Sequence, residues 1–93
     1  MRFEWDEKKN EDNIRKHGFD FADAPDVFDS PMFVRLDERE DYGEDRWIGI
    51  GTLYGRVVVV VFTERADGDI TRIISLRKAM KHEREAYQKA IAH

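Results

Sequence analysis

Arg65, Arg72, Arg77 and Lys78 fall within the last fourteen residues of VVVVVFTERADGDITRIISLRK, Val57 to Lys78. Guanidinium and ammonium groups gathered at one end of a sheet suit the binding of an anion, phosphate above all. Val57 to Phe62 is a β-branched apolar run that predicts a central strand buried on both faces. Ala66-Asp67-Gly68-Asp69 supplies the turn, with Gly68 free to take positive φ, and Ile70 to Leu76 returns as the next strand. A helix is then expected from Arg77 to Ala92, with Ser75 as its N-cap. Two cations in its first turn oppose the helix dipole unless an anion sits among them.

Proton-transfer candidates are fewer. Arginine does not normally release its proton, which leaves Glu64 and His17. Cations beside Glu64 would lower its pKa and fit it better to orient an arginine than to act as base. His17 titrates near neutrality, and Arg15-Lys16-His17 equally forms an ordinary charge complement at a helix C-terminus. Arg65 equally suits turn solvation or an ion pair with Asp67 or Asp69. There is no cysteine, and His17, His82 and His93 share no metal-ligand spacing. His82-Glu83 begins an HExxH pattern, but Ala86 stands where its second histidine belongs. No metal and no cofactor are expected.

Ninety-three residues predict a single domain over 1–93. The chain is 41% hydrophobic and 39% charged, so much of its surface must carry charge. No apolar run approaches the roughly 20 residues of a membrane span, and acidic residues stand in Met1-Arg2-Phe3-Glu4-Trp5-Asp6 where a signal peptide would be apolar. The expected location is cytoplasmic. Residues 1–45 hold 7 Lys+Arg against 15 Asp+Glu, a balance of −8, whereas residues 46–93 hold 9 against 5, a balance of +4. The second half is the basic module.

The elements that must position these groups read β-α-α-β-β-β-β-α. Phe3-Glu4-Trp5 is a short strand, and Asp6 caps a polar helix from Glu7 to His17 that Gly18 ends. Its one aliphatic residue, Ile14, places it at the domain's edge. A second helix spans Phe21 to Phe28, with Pro25 arguing for a later start. Strands follow at Met32 to Leu36 and Trp47 to Leu53, separated by the acidic loop Asp37 to Asp45. Trp47 suits packing more than base stacking, and Tyr87 lies on the apolar stripe of the last helix. The fold class is α+β, helices against a mainly antiparallel sheet.

Five strings occur in order: Phe3-Glu4-Trp5-Asp6; Asn13-Ile14-Arg15-Lys16-His17-Gly18; Val27-Phe28-Asp29-Ser30-Pro31; Thr63-Glu64-Arg65; and Arg72-Ile73-Ile74-Ser75-Leu76-Arg77-Lys78-Ala79 with Glu83-Arg84 and Tyr87. The chain in this respect resembles the BrnT family, the toxin components of type II toxin–antitoxin pairs. The resemblance implies a RelE-like fold with two N-terminal helices on the sheet, and endoribonuclease activity that halts translation. It also implies a BrnA antitoxin with a ribbon-helix-helix module, through which the complex reaches operator DNA. Pro25 and the acidic overall charge depart from the family pattern.

Metal-independent RNA cleavage requires the 2′-hydroxyl to lose its proton, the phosphorane to be stabilised and the leaving 5′-oxygen to be protonated. The catalytic candidates are Arg65, Arg77, Lys78, Glu64 and His17. The RNA-binding candidates are Arg72, Lys81, Arg84 and Lys16. Arg65 and Arg77 belong to opposite ends of a simple hairpin unless twist or a bulge brings them together, with Arg72 between, so the sequence leaves open which end holds the site. The competing function is a noncatalytic module that binds antitoxin and represses its operon, since an acidic N-terminal half attracts a basic partner and repels RNA.

Overall fold

In the computed structural model, which describes residues 1–91, the valine run is the centre of a five-stranded sheet. Its strands are β1 (Arg2–Glu4), β2 (Phe33–Leu36), β3 (Trp47–Leu53), β4 (Arg56–Arg65) and β5 (Ile70–Lys78). They lie in the order β1-β5-β4-β3-β2. β1 runs parallel to β5 and the other neighbours are antiparallel, so the sheet is mixed. Helices α1 (Glu7–His17), α2 (Ala24–Phe28) and α3 (Lys81–Ile91) complete an α+β fold.

Alternation along β4 divides two cores. Val58, Val60 and Phe62 join Phe21, Ala24 and Val27 on the α2 side, while Val59 and Val61 join Ile48, Ile50, Ala79 and Tyr87 on the α3 side. Val58, Val59 and Val60 are fully buried, and each contributes about 1.5 kcal/mol or more by leaving water. β3 reads Ile-Gly-Ile-Gly for the same reason. Its isoleucines face α3, and a Cβ on Gly51 would come within 2.8 Å of Ser30 Oγ and 3.0 Å of Val27 Cγ1. Tyr54 and Gly55, both at positive φ, form the two-residue β3–β4 turn that suits the strand twist.

The polar helix α1 is anchored by asparagines rather than by Ile14, which is 42% exposed. Asp6 accepts from the backbone N–H groups of Lys8 and Lys9, and left-handed Gly18 closes the helix by donating to Ile14 O. The Asn13 side chain donates to Phe19 O and Leu76 O at 2.9 and 2.8 Å and accepts from Leu76 N–H at 3.2 Å. It therefore satisfies the outer edge of β5 beyond the short β1. Asn10 accepts from Phe21 N–H at 2.8 Å and donates to Asp20.

Several expectations change. Arg77 and Lys78 do not open the last helix; they end β5, paired with Val59 and Val58. Strand pairing prevails because the first half of β4 would otherwise lack its ladder partner. Ser75 is likewise no N-cap but a strand residue opposite Val61. α3 starts at Lys81, and the expected end at Ala92 lies outside the described residues, as does His93. A 3-10 turn takes Phe21–Asp23, so α2 begins at Ala24 with Pro25 in its first turn, where a missing N–H costs nothing. A further 3-10 turn covers Ala66–Gly68, with positive φ at all three residues.

Candidate active site

Strand register decides which candidates meet. Arg65 pairs with Ile70 and Arg77 with Val59, six positions apart along β4, or about 20 Å. The hairpin does contain a bulge: Val61 faces Ser75, but Phe62 faces Ile73, leaving Ile74 unpaired. It does not close the gap. Arg65 and Arg77 thus cannot clamp one phosphate, and each end of β5 has its own cation group.

At the turn end, Arg72 donates to Glu4 at 2.7 Å, and Arg65 lies 3.6 Å from Glu4 and 3.5 Å from Glu44. The expected partners Asp67 and Asp69 make no ion pair with Arg65 among the described residues. Glu64 points to the other face, opposite Thr71, and joins neither arginine there. Two arginines shared by two carboxylates form a largely neutralised cluster.

The other end combines three elements. Arg77 shares the Val59 face, on which α3 contacts β3 and β2, leaving the β5 side of that face half-exposed. Its two terminal nitrogens each donate to one oxygen of Glu83 at 2.8 Å. Glu83 Oε1 also accepts from Met80 N–H at 2.8 Å, satisfying a backbone donor at the start of α3. The Arg77 hydrogen bonds hold the Glu83 carboxyl down at about 2 despite its burial.

At the C-terminus of α1, Lys16 and His17 line, with Ile74 and Ser75, a concavity of about 220 Å³ at the β5 edge. Partial burial, then the charges of Lys16 and Arg77, lower the His17 pKa from 6.5. The lowered pKa favours the neutral imidazole, the form that can accept a proton. The bulge at Ile74 shapes this rim. A larger concavity, about 610 Å³, is lined by His82, Glu85, Ala86, Gln88 and Lys89, all from α3, and so is a strip along one helix.

The remaining candidates spread outward. Lys78 points to the Val58 face, opposite to Arg77. Lys81 is 84% exposed and 4.0 Å from Glu85, and Arg84 donates to Ala79 O at 2.9 Å. Trp47 packs against the α2-side core, and Tyr87 is buried with its hydroxyl donating to Pro31 O. In the sequence, Glu83 stands out only in an incomplete HExxH pattern and a BrnT-like string, Asn13 only in such a string, and Asn10 not at all. A glutamate three residues after Met80 carries the half-capping-box spacing, and asparagines at i and i+3 inside a helix mark side chains bonded to neighbouring backbone. Among the described residues, no group of three His, Cys, Asp or Glu side chains forms a metal-ligand set.

A family model described as ribonuclease toxin, BrnT, of type II toxin-antitoxin system, matches residues 5–83. The chain belongs to the BrnT family. Comparison with curated proteins finds no match. The BrnT match contains both ends of β5, α1 and the Arg77–Glu83 pair. It makes the chain a ribonuclease toxin whose type II system includes an antitoxin partner. No helix among the described residues is long and apolar enough to cross a membrane.

Proposed function

We propose that this chain is a metal-independent, RelE-type endoribonuclease acting in the cytoplasm to halt translation, with its reaction centre at the C-terminal end of β5. The observation that carries this reading is the Arg77 guanidinium held by two hydrogen bonds to Glu83, with His17 on the rim of the same strand and its pKa lowered in part by the Arg77 charge. His17 takes the proton of the ribose 2′-hydroxyl, and the 2′-oxygen attacks phosphorus. Arg77 stabilises the charge gained by the phosphorane. The bond to the 5′-oxygen then breaks, that oxygen taking a proton from the Lys16 ammonium on the same rim. The products are a 2′,3′-cyclic phosphate and a 5′-hydroxyl.

A BrnA-type ribbon-helix-helix antitoxin is the proposed neutralising partner, and operator DNA is reached only through it. The test incubates purified, antitoxin-free protein with total RNA in EDTA, beside His17→Ala and Arg77→Ala, and maps new ends. Discrete fragments from the parent protein that vanish in both variants support the centre. Intact RNA with folded parent protein overturns direct cleavage.

One observation favours a noncatalytic antitoxin-binding and repression module. Arg65, Arg72 and Arg77 all have carboxylate partners already, which opposes RNA. Antitoxin binding and operator repression that persist without any RNA cleavage would select that alternative.

A further inference from the structure

At the tip of the β3–β4 hairpin, Arg56, Lys78 and Arg84 surround a concavity of about 390 Å³ with Gly55 and Val57. Elsewhere, Arg15, Arg39, Arg46, Arg65, Arg72 and Arg77 each have a carboxylate within 3.6 Å, and of the arginines there only Arg2 and Arg35, on separate strands, have none among the described residues. Among the described residues, none of the three cations here has one. The chain has 20 Asp+Glu against 16 Lys+Arg, so an unpaired trio at one spot is not a result of scarce carboxylates. Converging like charges repel unless an anion joins them.

The walls are also preset. The Arg56 guanidinium lies 5.2 Å from the Phe19 ring centroid, and Arg84 is held through Nη1 to Ala79 O, leaving its other donors for a ligand. Ala79 N–H donates to Val57 O at 3.1 Å and ties the two walls together. Gly55, at φ +77°, has open space where a Cβ would stand, which keeps the mouth clear. Ordering these side chains before binding lowers the entropy cost of capturing an anion.

We propose that this concavity is a second phosphate subsite, holding a backbone phosphate of the RNA other than the one Arg77 engages. It rests on the ribonuclease reading above. Consecutive Arg77 and Lys78 point to opposite faces of the sheet. An RNA strand passing over the end of β5 therefore meets Arg77 on one side and the Arg56–Lys78–Arg84 trio on the other.

The test measures binding of a labelled 2′-O-methyl RNA oligonucleotide, which lacks the attacking hydroxyl, across a potassium chloride series. Arg56→Gln/Arg84→Gln is expected to weaken binding about tenfold and to flatten the log K against log salt slope by about 0.7 for the lost phosphate. Arg56→Lys, which keeps the charge, retains the slope. Thermal melting confirms that each variant is folded. An unchanged affinity and slope in the double variant overturns the subsite, as does no binding by the parent protein. NMR titration with inorganic phosphate adds a control: saturation by phosphate without oligonucleotide binding identifies a free-anion site and also overturns the proposal. Cleavage of ordinary RNA by the parent is scored separately, so failure of the nuclease reading is distinguishable from failure of the subsite.

Discussion

Arg77 and Glu83 clasp each other through two hydrogen bonds of 2.8 Å, joining the end of β5 to the start of α3. The same carboxylate accepts from Met80 N–H, so one side chain fixes both an arginine and a helix end. Glu83→Gln should destabilise the protein by about 2 kcal/mol and slow cleavage by misaligning Arg77. The Glu83 pKa is depressed from 4.5 to about 2, so its contribution is present above the unfolded value and lost as pH falls through the folded one. Urea melts from pH 5 to 2 should show a stability decline in the parent that is shallower in the variant; parallel declines would refute the assignment.

His17 predicts a pH profile. A base whose pKa is lowered stays competent below the ordinary histidine value, so the cleavage rate should rise with pH to a plateau whose midpoint lies below 6.5. His17→Ala should lose about a hundredfold or more in rate and with it this limb of the profile. A variant that keeps both would remove His17 from the reaction.

The distance between the two arginine groups predicts unequal effects. Arg77→Ala should reduce cleavage at least about a hundredfold, whereas Arg65→Ala, about 20 Å away along β4 and shared with Glu4 and Glu44, should mainly weaken RNA binding. Single-turnover rates at saturating RNA separate the two. Equal losses in that regime would contradict the register argument.

Asn13 replaces a missing strand at the edge of β5. Asn13→Leu leaves the Leu76 N–H and C=O groups and the Phe19 carbonyl without their partner, which should cost about 2–4 kcal/mol. Chemical denaturation measures it. A loss below half a kilocalorie would mean that water substitutes readily at that edge.

Gly51 tests the contact between sheet and α2. A methyl group there would crowd Ser30 Oγ and Val27 Cγ1, so Gly51→Ala should destabilise by about 1–3 kcal/mol. Gly55→Ala, at the open β3–β4 turn, should be strained through its φ instead.

The valine run, the α+β class and the boundaries of Trp47–Leu53 were legible because apolar alternation and turn residues report directly on burial. The resemblance to the BrnT family was legible from ordered strings and is borne out by the family match. The start of α3 was not. Arg77-Lys78 looked like a helix opening because Leu76 ended the apolar pattern, but β4 draws two further residues into the ladder. Long-range pairing of that kind leaves no local signature. Asp37 opens the acidic loop expected at Asp37 to Asp45, yet it is 4% exposed and bound bidentately by Arg39 at 2.8 and 2.7 Å. As for the site, strand order alone could separate Arg65 from Arg77, but only the three-dimensional placement of α1 brings His17 to Ile74 and Ser75 of β5.

β1 comes before the other four strands in the chain, and its partner in the sheet, β5, comes after them. Asn13 makes the same reach, waiting on Leu76 sixty-three residues later. A nascent chain therefore cannot close its N-terminal edge until residues 70–76 have left the ribosome, and loop-closure entropy makes that joining a late step. The His17 rim includes Ile74 and Ser75 of β5, so the proposed base meets the strand that carries Arg77 only after that late joining.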